Sequence, residues 1–223
     1  MTIRHHLDEA TILAYAAGTL NEAFSVVVAA HVSVCPSCRA AVRQAEAVGG
    51  NLLEQTDAVA VSADTRARMM AQLDVVAPLN TLERSRFITS PMASRELPRP
   101  LARLLGGSSL DEIRWRALAP GIAVHDLPLS PQARGHLKLL RIGAGKAMPE
   151  HGHGGEEITL ILKGAYRDKF GEFRAGDVAD LDESIEHSPV VTEDGPCICL
   201  IATEAPTRMK GLFARMLQPW FGI

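Results

Sequence analysis

Aromatic residues make up only 4% of this 223-residue chain, although 47% of it is hydrophobic. Its core must be built from aliphatic side chains and alanine, the composition of a soluble protein. No apolar run reaches the length of a bilayer span, so no membrane partner is expected. The opening MTIRHHLDEA lacks the apolar centre of a signal peptide, which makes a cytoplasmic location the expectation. Cysteine is scarce: four residues in two close pairs, Cys35/Cys38 and Cys197/Cys199. In a reducing compartment such pairs bind metal or sense redox state more often than they form structural disulfides. Lysine is absent from the first 80 residues, where five Arg face eight acidic groups and leave a net charge of −3. Residues 81–120 carry +3 and residues 121–223 carry −3. Neither end offers the basic face that nucleic-acid binding needs, and an acidic module suits a basic protein partner instead.

What is present begins with His31-Val-Ser-Val-Cys35-Pro-Ser-Cys38, an H-x3-C-x2-C cluster. Two thiolates with imidazoles suit tetrahedral Zn²⁺, which takes four ligands in a structural role. On a helix His31 and Cys35 share a face, and Cys38 follows one turn later. The fourth ligand must come from elsewhere, and His5 and His6 are the only other histidines before position 100. Spacing does not separate these two.

Four short helices are expected around this cluster. Residues 8–17 read as a helix closed by Gly18. Thr19-Leu-Asn-Glu22 has the capping-box pattern and opens a second helix through about His31. Pro36 suits the first turn of a third over 36–55, with Ala41, Val42, Ala45 and Val48 as its apolar stripe and Gly49-Gly50 as a weak point. Residues 64–75 read as a fourth. Between Pro78 and Leu110, prolines, Gly106-Gly107 and arginines predict a linker. Beyond Trp115 the pattern changes to short apolar runs between turn signals: IAVHDL, HLKLLRIG, EEITLILKG and CICLIATEA. Such spacing predicts an all-β barrel or sandwich. The C-terminal MKGLFARMLQPWFGI reads as a segment packed on it.

The β region carries G-x5-H-x-H-x3-E-x6-G from Gly145 through His151, His153 and Glu157 to Gly164, then Gly171 to Asp177 and His187. Strand alternation points His151 and His153 the same way. Three imidazoles and a carboxylate accept Zn²⁺, Fe²⁺, Mn²⁺ or Ni²⁺. This spacing resembles the two-part cupin motif, which favours Glu157 over Glu156. Arg174 departs from the second half, where relatives often carry Pro. Cys197 and Cys199 share a strand face, where packing and redox roles both fit. His125 and His136 lie outside the motif.

Taken together, the chain resembles the zinc-binding anti-sigma factors of the ChrR type, on His6, His31, Cys35 and Cys38 in the first part and His151, His153, Glu157 and His187 in the second. The resemblance implies two domains. An all-α four-helix zinc module over residues 1–80 is joined by a Pro/Arg-rich linker over 81–110 to an all-β cupin (jelly-roll) barrel over 111–223. It also implies a regulator rather than an enzyme. The first half would bind an extracytoplasmic-function-type sigma factor in a 1:1 complex and block its docking to core RNA polymerase. The cupin would sense singlet oxygen or related oxidants such as organic hydroperoxides. A metal-dependent cupin oxygenase with a zinc docking module is the rival reading, since many cupins with this ligand set use iron and oxygen. A DNA-binding regulator with a cupin effector domain ranks last, because the acidic first half shows no helix-turn-helix pattern.

Overall fold

The computed structural model describes residues 2–75, 97–148, 151–152, 155–182, 185–204 and 208–209; at 74–75, 151–152 and 208–209 the description is of the backbone. The C-terminal segment from 210 onward, expected to pack on the β region, lies outside the described residues.

Helix α1 spans Glu9–Ala16, with the Asp8 carboxylate accepting from the Ala10 amide at 2.8 Å. Gly18 follows in the left-handed region (φ 69°), where a Cβ would be strained. Helix α2 spans Glu22–Val34. Its cap is Asn21, which accepts from Phe24 N at 3.2 Å, rather than the expected Thr19. The Thr19 hydroxyl donates back to Ala14 O at the end of α1 instead. The Glu22 carboxylate accepts from the backbone and hydroxyl of Ser130, 108 residues away, so it is not spent on a capping box.

Helix α3 runs unbroken over Pro36–Glu54, through Gly49-Gly50. Of its expected stripe, Val42 is buried, Ala41 and Ala45 are partly so, and Val48 is exposed. Helix α4 covers Thr65–Val75 and is exposed from Arg66 to Leu73. The first 75 residues thus hold four helices, but the packed contacts are α1 on α3 and α2 on α3. Four helices are present as expected, but α4 is exposed and makes none of the larger helix–helix contacts, so a packed four-helix module is not seen as such among the described residues.

In the stretch read as linker, helix α5 (Arg99–Leu104) packs against α2. Pro98 is its cap and Pro100 lies in its first turn, where a missing N–H costs nothing. Leu97, Leu101, Leu110 and Ile113 are buried here. At least residues 97–113 are therefore anchored to the core.

Eleven strands follow among the described residues: β1 (Arg116–Ala119), β2 (Ile122–Asp126), β3 (His136–Ile142), β4 (His151–Gly152), β5 (Glu157–Lys163), β6 (Ala165–Asp168), β7 (Gly171–Arg174), β8 (Val178–Leu181), β9 (Val190–Val191), β10 (Cys197–Thr203) and β11 (Arg208–Met209). They form an antiparallel six-stranded sheet in the order β1-β2-β3-β10-β5-β8, a three-stranded sheet β7-β6-β9 and a pair β11-β4. The four apolar runs read from sequence become β2, β3, β5 and β10. No closed barrel forms among the described residues, so the jelly-roll barrel is not seen as such.

The apolar runs lack strict alternation because both faces of the large sheet are covered. Leu137, Leu139, Ile158, Leu160, Ile198, Leu200 and Ala202 pack against Phe24, Val27 and Val28 of α2 and Leu101 of α5 in one cluster. The alternate residues Leu140, Ile142, Ile161, Cys197 and Cys199 pack on the opposite face with Tyr166 and Phe173. Helix α2 is therefore core for the sheet as much as for the helices. Phe24→Ala removes a fully buried ring and is expected to cost about 3–5 kcal/mol. In urea unfolding, the helical circular-dichroism signal and tryptophan fluorescence should shift together to a lower midpoint. A fluorescence transition left in place would mean that the two regions unfold independently.

Candidate metal centres

Three segments assemble the first centre. His31 lies in the last turn of α2 and is wholly buried. Cys35 breaks the helix in an extended conformation and caps α3, its Sγ accepting from Cys38 N at 3.5 Å. Pro36 starts α3 at once, and the sharp corner between the helices turns Cys35 and Cys38 towards His31. His6 arrives from the extended arm before α1. His31 Nε2 lies 3.3 Å from Cys38 Sγ. His6 Nδ1 lies 3.3 Å from Cys35 Sγ and 3.6 Å from Cys38 Sγ. All four ligand atoms fall within 4.8 Å of one another.

Around a tetrahedral zinc with bonds of about 2.0–2.3 Å, donor atoms sit about 3.3–3.8 Å apart. The three distances given fall in that range, and the donor set is one that soft, borderline divalent metals take, so these residues fit the group. His5 does not join them: its Nε2 lies 3.2 Å from Glu172 O and its ring stacks on Phe173 at 4.0 Å.

Electrostatics suit the same purpose. Burial pushes His31 down to about 4, against the opposing pull of the Gly176 carbonyl, so near neutral pH the imidazole has a lone pair to give. Its Nδ1 is paired with Gly176 O at 3.0 Å, which turns Nε2 towards the thiols. Burial, with Cys35 beside it, pushes the Cys38 thiol up. At neutral pH this thiol holds its proton, and a bound dication must expel it.

The second centre faces a cavity between the sheets, walled by Val124, Leu140, Ile142, Met148 and Ile201. Strand alternation sends Glu157 and Thr159 of β5 into it, while Ile158 and Leu160 turn to the helices. Glu157 is buried and its Oε1 accepts from Thr159 Oγ1 at 3.2 Å; Glu156 is exposed. His187 enters from the far side, buried, with its Nδ1 3.1 Å from Asp168 Oδ2. This carboxylate–imidazole pairing would leave Nε2 as the atom for a metal, as at many metal-ligating histidines. His151 is placed by the backbone of β4, and His153 lies outside the described residues. The donors described, a buried carboxylate and an oriented imidazole, fit a divalent metal.

Sequence reasoning assigned no role to four residues here. Asp168, which orients His187, stands 19 positions away in a β6 end that no spacing rule marks. Tyr166 lines the cavity with its hydroxyl buried and without a hydrogen-bond partner among the described residues, and burial pushes it up. Lys138 also lines it; burial pushes the ammonium down while Asp126 at 3.5 Å holds it. Asp177, the turn residue after Gly176, is buried and binds the arm that carries His6. Cys197 and Cys199 do share a face, their sulfurs 3.9 Å apart, and Cys199 lines the cavity.

Because metal loading must drive a proton from Cys38, affinity at the first centre should fall at least about tenfold for each unit of pH lost below neutrality. Zinc competition titrations from pH 7 downward, with pH-matched chelator constants, measure this. Affinity independent of pH would mean that the thiols do not bind.

A sequence profile of the ChrR cupin-like domain matches residues 107–206. Over the whole of both chains, 227 aligned positions, the sequence is 44% identical to the anti-sigma-E factor ChrR of Cereibacter sphaeroides. The fold is similar to a crystal structure of Rhodobacter sphaeroides SigE in complex with the anti-sigma ChrR, with a TM-score of 0.75, covering 91% of this chain and 99% of that one. The helical zinc-type cluster, the cupin-like sheets and the full-length identity agree: this chain belongs to the ChrR family of anti-sigma factors.

Proposed function

We propose that this protein binds an extracytoplasmic-function-type sigma factor in a 1:1 complex and keeps it from core RNA polymerase. Its first 80 residues act as the inhibitory half, 81–110 as the connection and 111–223 as the sensory half. The observation that carries the reading is full-length identity of 44% to an anti-sigma-E factor.

The surface supports it. Leu52 and Leu53 at the end of α3, Val59 and Val61 beyond it, and Met69, Met70 and Leu73 on α4 are all more than half exposed. Exposed apolar side chains recurring between positions 52 and 73 of an acidic module suit burial against a protein rather than water. No single helix among the described residues is long and apolar enough to cross a membrane, and α2, half of the one bent pair that passes on composition, is largely core. The setting proposed is the cytoplasm.

Zinc held by His6, His31, Cys35 and Cys38 would staple the arm to α2 and α3, supplying rigidity to a module too small to rely on its own core. His151, His153, Glu157 and His187 would hold zinc or another divalent metal, Fe²⁺, Mn²⁺ or Ni²⁺, at the wall of the cavity. Oxidants such as singlet oxygen, met at that site, would favour a state with lower affinity for the partner. The oxygenase reading is set aside because the full-length relative is a regulator.

Co-expressing the full chain with a sigma factor of this class from the same organism should yield a 1:1 complex by light scattering. The double substitution Leu52→Asp/Met70→Asp should weaken it at least about tenfold, since both residues are exposed in the free chain and each would bury a charge in the interface. A folded, metal-loaded chain that ignores every such sigma factor would overturn the proposal.

A further inference from the structure

His31 and the residues flanking His6 are hydrogen-bonded to the β region. The β7–β8 connection carries Gly176 in the left-handed region (φ 93°), which aims its carbonyl at His31 Nδ1, 3.0 Å away and 145 residues distant in sequence. Its neighbour Asp177, 1% exposed, receives the arm. One carboxylate oxygen accepts from Arg4 N at 2.7 Å and His5 N at 3.1 Å, the other from Arg174 N at 2.9 Å. The fit continues on both sides: Val178 N donates to His5 O at 3.4 Å and Asp8 N to Asp180 Oδ2 at 3.0 Å. The His5 ring lies on Phe173 of β7, which in turn stacks on Tyr166 of the cavity wall at 5.0 Å. His6 thus sits between two residues, His5 and Asp8, that are bound to the sheet.

We infer that Asp177 and the Gly176 carbonyl are positioning groups for the first metal centre, so that the β region sets the metal affinity of the helical half. The inference rests on reading His6, His31, Cys35 and Cys38 as that centre. Two charge-assisted bonds from a buried carboxylate fix where the arm crosses the turn. Without them the arm keeps its sequence but loses its register, and His6 no longer meets the thiols. Orienting partners of metal ligands are typically worth 10–100-fold in affinity. His5, left out of the ligand set, gains a role as the ring that presses the arm onto Phe173.

The test uses the full-length chain and Co²⁺, whose thiolate charge-transfer absorption, absent in a Cys35→Ser/Cys38→Ser control, reports the cysteine-containing site. Titration against a competing chelator should show Asp177→Ala lowering Co²⁺ affinity about 10–100-fold. Asp177→Asn, which keeps an acceptor oxygen for the arm, should restore part of the loss. His5→Ala, at a partly exposed position, should lower affinity several-fold with an unchanged spectrum. If Asp177→Ala does not fold, the His5→Ala result decides. Parent-like affinity in the folded variants overturns the inference, whereas a parent chain without the thiolate absorption overturns the reading of the centre itself.

Discussion

Everything in this structure turns on the His31 imidazole, which has one nitrogen on the thiol cluster and the other on a carbonyl of the β region. A buried imidazole needs both nitrogens satisfied, and here each demand is met by a different part of the chain. His31 can therefore be in place only when α2, the corner at Cys35 and the turn at Gly176 are all in place. Full burial of the ring, which pushes its pKa down, follows from the same enclosure.

The core tells the same story on a larger scale. Phe24, Val27 and Val28 fill the space between α1–α3 and the sheet, and Leu101 of α5 closes the side. A helix that anchors two layers ties the stability of one to the packing of the other. The cavity lies on the opposite face of that sheet, and the stack Tyr166–Phe173–His5 is a packed connection from its wall to the arm. In the sensing proposed above, this stack would be a packed element on which both the cavity and the arm act.

Much of this was legible in the sequence where the signal is local. The spacing of His31, Cys35 and Cys38 reads directly because helix geometry and Pro36 fix a corner within eight residues. Glu157 and His187 read from family spacing, and the strands β2, β3, β5 and β10 from their apolar runs. The misses have two causes. Ambiguous punctuation misled at Pro98 and Pro100, which suit a helix start as well as a coil, and at Thr19, whose hydroxyl binds Ala14 O while Asn21 takes the cap. Distance hid the rest: Asp177 meets Arg4 across 173 residues and Glu22 meets Ser130 across 108, contacts that no periodicity encodes. Spacing could not separate His5 from His6 for this second reason, and only the family resemblance named His6; a ring face on Phe173 separates the two in space.

Amide hydrogen exchange on the full-length chain tests the account most directly, comparing the zinc-loaded protein with Cys35→Ala, which cannot complete the first centre. If the arm, the helical corner and the β7–β8 turn form one unit, loss of that ligand speeds exchange at Arg4, His5 and Asp8. It also does so at Arg174 and Val178, whose amides meet the Asp177 carboxylate and the His5 carbonyl. Faster exchange confined to α2 and α3, with the turn as protected as before, would contradict it.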